Sequence, residues 1–274
     1  MTIQIKNHKT TLPNGYAVNN NEEILVIGDV HGCAKQLEGL LECFADLPLS
    51  NKPRTIVYLG DLIDRGPESL RSLDLAIHSI NRKNINKIIG LAGNHENMMR
   101  LALSETHDSN ICNQTANSWI ANGGANVISE IMEINPSLSE INNTLGVERQ
   151  NWLNSLTSHY KSGNVMFIHA GINPHISLNE FLSQPWDIPL SKLRDDFHWA
   201  WIREPFLSES PTNGFHNHFV IHGHSIIGRA DTKTEQDQIK SFRLNLDGGS
   251  FHTGIVRAAW ICDSDITVFE ATSI

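Results

Sequence analysis

The 274-residue sequence predicts an α/β fold in which parallel strands alternate with helices. Two observations predict it. Short, β-branched apolar runs stand at Ile24-Leu25-Val26-Ile27, Ile56-Val57-Tyr58-Leu59 and Ile88-Ile89-Gly90-Leu91, as expected of strands buried on both faces. Between them lie segments whose apolar residues recur at helical spacing. The resulting β-α-β-α-β order implies parallel strands joined by right-handed crossovers.

Taken in order, residues 1–20 read as an N-terminal extension with a short hairpin turning at Asn14-Gly15. Residues 21–274 read as a single domain. After the first strand, Leu37, Leu40, Leu41, Phe44 and Leu47 fall on one helical face. After the second, Pro67 opens a helix carrying Leu70, Leu73, Ile77 and Ile80, since Pro is favoured at the first helical position. Residues 95–160 read as mostly helical, with a loop near Asn110 and a break at Gly123-Gly124. Strand character returns at Val165-Met166-Phe167-Ile168 and Phe219-Val220-Ile221, then around 242–246, 255–262 and 265–270. The strand-rich last third is what a second sheet requires.

Composition narrows the function classes. Hydrophobic residues make up 40% and charged residues 19%, as in ordinary globular proteins. No apolar run approaches the roughly 20 residues that span a bilayer. Residues 1–18 hold no apolar segment of a secretory signal, so the protein reads as cytoplasmic. Cys33, Cys43, Cys112 and Cys262 lie far apart without a CxxC pair, which argues for reduced, buried thiols rather than a disulfide framework or thiolate zinc site. The formal net charge is −9 and no Lys/Arg cluster is present, which argues against nucleic acid as a partner. Phosphate chemistry stays open, because metals and a few arginines supply a positive field locally.

The informative residues sit where the apolar runs end: Gly28-Asp29-Val30-His31-Gly32, Gly60-Asp61-Leu62-Ile63-Asp64-Arg65-Gly66, Gly93-Asn94-His95-Glu96, His169-Ala170-Gly171 and His222-Gly223-His224. Ligands of open α/β sheets gather at the carboxyl ends of strands, so these loops should converge. Carboxylates, imidazoles and an amide oxygen, with no thiolate, suit Mn²⁺, Fe or Zn²⁺. They exceed what one ion needs. Two divalent ions sharing a carboxylate acidify a water and clamp the attacking and leaving oxygens of an in-line displacement. A lone Asp after a strand is ordinarily a cap, and a lone buried His a core residue; so many in succession, each at a strand end, point to one site.

Gly28-Asp29-x-His31-Gly32, Gly60-Asp61-x-x-Asp64-Arg65-Gly66 and Gly93-Asn94-His95-Glu96 resemble the three signature blocks of the phosphoprotein phosphatase family of metallophosphoesterases, in its bacterial and phage lambda-type branch. Trp119-Ile120-Ala121-Asn122-Gly123-Gly124, Trp201-Ile202-Arg203-Glu204 and Leu246-Asp247-Gly248-Gly249 extend the likeness over roughly residues 22–270, weakly at 103–160 and 225–245. The resemblance implies a four-layer αββα sandwich of two mixed β-sheets with helices outside. It also implies single-step hydrolysis by a hydroxide held on two metal ions, with Mn²⁺ the expected ion. By position, Asp29 and His31 would bind the first metal, Asp61 would bridge, and Asn94, His169 and His224 would bind the second. His222 would be a neighbour behind the site. Arg65 and Arg203, with Asn94, would hold the phosphate oxygens. His95 would protonate the leaving oxygen, its ring fixed by Asp64.

By resemblance the expected substrates are serine/threonine phosphoproteins or phosphopeptides, with some activity on phosphotyrosine. Substrate discrimination is expected from loops 172–198 and 205–216. The nearest rival is symmetrical diadenosine tetraphosphate hydrolysis, by a sister family sharing the Gly28-to-Cys33 opening. That family usually lacks a counterpart of Asp64 and reads Asn-His-Asp where this chain has Asn94-His95-Glu96. A non-catalytic scaffold on the same fold would have lost ligand positions that are all filled here. The remaining histidines, His198 and His252 among them, read as surface or packing residues.

Overall fold

The computed structural model describes residues 2–131, 137–226 and 234–274. The chain runs through β1 (Ile3–Thr11), β2 (Glu23–Ile27), α1 (Ala34–Ala45), β3 (Arg54–Tyr58), α2 (Ser69–His78), β4 (Lys87–Gly90) and α3 (Asn94–Ala102). A helical stretch follows as α4 (Ser109–Trp119), a π-turn at Ile120–Gly124, α5 (Ala125–Ile131), α6 (Leu138–Leu145) and α7 (Val147–Ser155). Then come β5 (His159–Ser162), β6 (Val165–Ile168), α8 (Leu178–Leu182), β7 (Phe219–His222), α9 (Glu235–Lys240), β8 (Arg243–Asn245), α10 (Ser250–Thr253), β9 (Ile255–Cys262) and β10 (Asp265–Ser273).

Two mixed sheets result. The first has the order β1-β10-β9-β2-β3-β4, with β2, β3 and β4 parallel and the other pairs antiparallel. The second has the order β5-β6-β7-β8, parallel except for β5. Side chains alternate across a strand with period two, and the core divides accordingly. Ile24, Val26, Val57 and Ile261 of the first sheet meet Val165, Phe167, Phe219 and Ile221 of the second in one apolar layer. Leu25, Ile27, Ile56 and Tyr58 face the other way, onto Leu37, Leu41, Phe44 and Leu73 of α1 and α2. Met166, Ile168 and Val220 pack outward against Phe181, Trp199 and Phe206. These are the expected four layers, helices outside two stacked sheets.

Several expectations need correction. Residues 1–20 are not an appended hairpin: β1 pairs residue for residue with β10, from Ile3 opposite Ser273 to Thr11 opposite Asp265. Tyr16 then packs on Phe219 and Phe242, and Ala17 and Asn164 exchange hydrogen bonds, tying the segment to the second sheet. The strands β9 and β10 complete the first sheet rather than building the second, because β9 inserts beside β2. Residues 159 and 160, the end of the stretch expected to be mostly helical, instead open the polar edge strand β5. The helix after Pro67 begins two residues later, at Ser69, and the loop expected near Asn110 closes by Asp108, the cap of α4. Cys112 is buried, but Cys33, Cys43 and Cys262 are only half-buried; all four are free thiols. No helix among the described residues is long and apolar enough to cross a membrane.

Candidate metal centre

The segments after β3 and β7, with the N-terminus of α3, line one cleft of about 710 Å³, and those after β2 and β6 bring His31 and His169 against Asp61. Asp61 stands at its centre, buried. Its Oδ2 lies 3.5 Å from His31 Nε2, 3.5 Å from His169 Nε2 and 4.0 Å from His95 Nε2. Its Oδ1 accepts the backbone N–H of His95 at 3.1 Å. Two groups of three could each hold a metal ion, His31-Asp61-His95 and Asp61-His169-His224, with ligand atoms within 4.8 Å of one another. Asp61 belongs to both.

Backbone carbonyls fix which imidazole nitrogens face inward. His31 Nδ1 lies 2.8 Å from Ile63 O, His169 Nδ1 2.9 Å from Leu59 O, and His224 Nε2 3.2 Å from Trp201 O. A carbonyl only accepts, so each of those nitrogens carries the proton and the other keeps its lone pair. The lone pairs of His169 and His224 point at Asn94 Oδ1, at 3.2 and 2.9 Å, and those of His31 and His169 at Asp61. His31 Nε2 also accepts from Arg65, but the lone pairs of His169 and His224, Asn94 Oδ1 and Asp61 Oδ2 are acceptors facing acceptors in a buried site and lack what holds them together. A divalent cation supplies it, so the donor set fits a metal pair.

The charge balance agrees. Burial, His95 and Arg65 push His31 down to about 3, and burial with His169 pushes His224 well below its ordinary value, so both imidazoles are neutral at pH 7. Burial alone would raise Asp61, but the surrounding imidazoles of His169, His95 and His31 hold it below the usual carboxylate range. Asp29 is different. Burial, then Asp247 and Asp61, raise it well above normal, and its carboxylate accepts the backbone N–H of His224 at 3.0 Å. It lies in neither three-residue group.

Asp64 and His95 form the remaining pair. Asp64 Oδ2 accepts His95 Nδ1–H at 2.6 Å, and Trp119 Nε1–H donates to both Asp64 oxygens at 2.9 and 3.0 Å. Burial works against a charged His95, but the Asp61 and Asp64 carboxylates outweigh it and raise its pKa. His95 Nε2 is buried with no partner. Arg65 donates to His31 Nε2 at 2.9 Å, and both Arg65 and Arg203 line the cleft. His222 lies outside it, its ring against Phe206 at 4.9 Å and its Nδ1 on its neighbour's carbonyl.

The local chain folds this way at a cost. His31, Asp61, Asp64, Arg65 and His224 are half of the ten non-glycine residues with positive φ among those described, a conformation that is strained outside glycine. Gly93 is required because a Cβ there would lie 2.0 Å from Asp61 Oδ1. Glu96 laces the loops, its carboxylate accepting the N–H groups of Asp61 and Leu62, each at 2.8 Å, and of Gly93 at 3.1 Å.

Sequence reasoning missed parts of this. Glu96 and Trp119 lie inside quoted blocks, yet nothing local signals the clamp or the indole donor. Asp247 is buried and raised to about 6 by burial and by Asp61, despite the Gly249 N–H it accepts at 2.8 Å. Of the expected rim loops, 205–216 contributes Leu207 and 172–198 nothing to the lining. Ala121, Asn122, Gly123 and Asn126 and the Phe251-His252 pair line it instead, His252 against expectation.

A profile of the calcineurin-like phosphoesterases matches residues 23–251, which holds every residue of the cleft lining except His252. The chain belongs to that family. Curated relatives match over shorter spans. "Serine/threonine-protein phosphatase 2" of Salmonella typhimurium is 38% identical over 37% of this chain and 38% of its own. The asymmetrical bis(5'-nucleosyl)-tetraphosphatase of Geobacillus thermodenitrificans is 34% identical over 27% of this chain and 31% of its own. The chain thus spans about a third of the length of the curated relatives it matches. Among solved structures, a serine/threonine phosphatase of Saccharomyces cerevisiae superposes with TM-score 0.56 at 14% identity, over 93% of this chain and 81% of that one. A cold-active protein tyrosine phosphatase does so with TM-score 0.54 at 19% identity, over 87% and 73%. Both likenesses speak to the fold.

Proposed function

We propose that the chain hydrolyses phosphate monoesters at a two-metal centre and acts on serine/threonine phosphoproteins, with some activity on phosphotyrosine. The observation that carries the reading is the ring of unprotonated acceptors around Asp61. In this reading Asp29 and His31 would hold one cation, Asn94, His169 and His224 would hold the other, and Asp61 would serve both. Bound there, the pair would acidify a water and polarise the phosphoryl group. Arg65 and Arg203 grip the non-bridging oxygens with their guanidinium forks. His95 gives its Nε2 proton to the leaving oxygen, while Asp64, itself held by Trp119, keeps the imidazole oriented and basic enough to carry that proton. Mn²⁺ is the expected ion, with Fe or Zn²⁺ compatible with the same donors.

The Salmonella relative favours the protein substrate. The Geobacillus relative favours a second reading, cleavage of a dinucleoside tetraphosphate, and its name points to asymmetrical rather than symmetrical cleavage. Metal-stripped protein restored with Mn²⁺, Fe²⁺ or Zn²⁺ in turn, and offered phosphopeptides, diadenosine tetraphosphate and small esters, separates the two. Activity restored by metal on phosphoseryl peptides upholds the first reading. Turnover of the dinucleotide alone replaces it, and no metal-dependent turnover of any ester ends both.

A further inference from the structure

Among the described residues, six large hydrophobic side chains stand exposed, and Phe251 is the one aromatic among them and the one that lines the cleft. Half of its surface is open, at 50% exposure. A Phe ring buries well over 100 Å² when covered, so a ring left open on the lip of a cleft is surface available to a ligand. Its placement is fixed. The short helix α10 that carries it lies between Gly249 and Gly254, both left-handed at φ 68° and 72°. The Asp247 carboxylate holds the Gly249 N–H, and Ile226, also in the lining, packs so closely that a Cβ on Gly249 would meet it at 2.7 Å. His252 flanks the ring at 5.1 Å between centroids, inclined by 59°. Arg65 and Arg203 line the same cleft as this pair. A phosphate held by those guanidinium groups leaves the rest of the ester to meet the lip. A seryl methylene has little surface to offer Phe251; a flat ring has a whole face.

We propose that Phe251, flanked by His252, is a shelf that selects phosphoesters bearing a flat aromatic ring on the group attached to the phosphate. The ring is that of a phosphotyrosyl side chain or of a nucleotide base. The proposal rests on reading the cleft as a phosphoester site. The test compares kcat/KM of the metal-loaded parent, Phe251→Ala and Phe251→Tyr on three substrates: a phosphotyrosyl peptide, its phosphoseryl counterpart and diadenosine tetraphosphate. The shelf predicts that Phe251→Ala lowers the tyrosyl-to-seryl ratio, the dinucleotide-to-seryl ratio or both about three- to tenfold, the range of one aromatic pair. KM should carry the change and Phe251→Tyr should restore it. Which ratio falls names the ring. Both ratios within twofold of the parent overturn the shelf. If the parent hydrolyses none of the three, the catalytic reading falls, and calorimetry with phenylphosphonate against methylphosphonate still decides: a phenyl preference lost in Phe251→Ala sustains the shelf, and equal binding ends it.

Discussion

The two sheets supply unlike halves of the cleft floor. The parallel strands β2, β3 and β4 deliver Asp29, His31, Asp61, Asn94 and His95 from loops that bond directly to one another. Val30 and His31 donate their N–H groups to Asp61 O at 3.0 and 2.9 Å, Gly32 donates to Leu62 O, and Glu96 ties Gly93 to Asp61 and Leu62. The second sheet delivers His169 and His224, both lowered in pKa chiefly by burial and neutral at pH 7. Among the described residues, their loops touch through a single backbone bond, Gly223 N–H to His169 O at 2.8 Å. Among the residues proposed as ligands, the first sheet brings all the anionic charge and the second adds neutral imidazoles. Charge is placed where three adjacent strand ends can brace it, and uncharged ligands can come from farther along the chain.

The largest effect should come from removing the charge both halves share. Asp61→Asn leaves the imidazoles facing a neutral amide that can anchor neither cation as a carboxylate does. We expect loss of metal by elemental analysis and a fall in kcat of at least about 10³-fold, since in the proposed site both cations would depend on this group. His169→Asn, which strips one neutral ligand from the second sheet, should cost less. Equal losses for the two variants would break the asymmetry between the halves.

Next comes the bracing of the charged half. Glu96→Gln sets an amide NH₂ where an oxygen accepts a backbone N–H, leaving a buried donor of Asp61, Leu62 or Gly93 without a partner. That should destabilise the fold by about 1–3 kcal/mol in denaturant unfolding. Supporting groups behind metal ligands matter about 10–100-fold, so kcat/KM should fall within that range although Glu96 touches no ligand side chain. A variant with unchanged stability and activity would show that the loops hold their shape without the clamp.

The same asymmetry explains what the sequence made legible. The charged half could be read because consecutive β-α units put one ligand loop after each apolar run, so order in sequence matched order in space. His169 and His224 were readable as residues, but not the carbonyls of Leu59 and Trp201 that set their protons, which come from distant segments. The four layers followed from the resemblance to known phosphatases rather than from periodicity. Strand β1 escaped because Lys6 to Thr11 is a polar edge whose partner, β10, lies at the other end of the chain. Strand β5 escaped because His159-Tyr160-Lys161-Ser162 carries no apolar run. Trp119, Glu96 and Asp247 act through contacts that only the tertiary fold creates.

The smallest expected effect tests the second half away from the metal ligands. His198, expected from sequence to be a surface or packing residue, is buried and forms hydrogen bonds with Pro185 O and the Ala200 N–H. Burial lowers its pKa to about 4. The unfolded chain, with a pKa near 6.5, then binds a proton that the folded chain refuses. Stability from this residue is therefore full above pH 6.5, declines as pH falls below it, and is spent once pH passes below about 4. Between pH 7 and pH 5 the loss should be about 2 kcal/mol. Urea unfolding of the parent and of His198→Asn at those two pH values measures it. The variant should be less stable at pH 7, having lost its packing and the Pro185 contact, yet show a smaller pH-dependent loss by about that amount. Parallel pH dependence in the two proteins would place the acid sensitivity elsewhere, at His222, whose burial lowers its pKa to about 3.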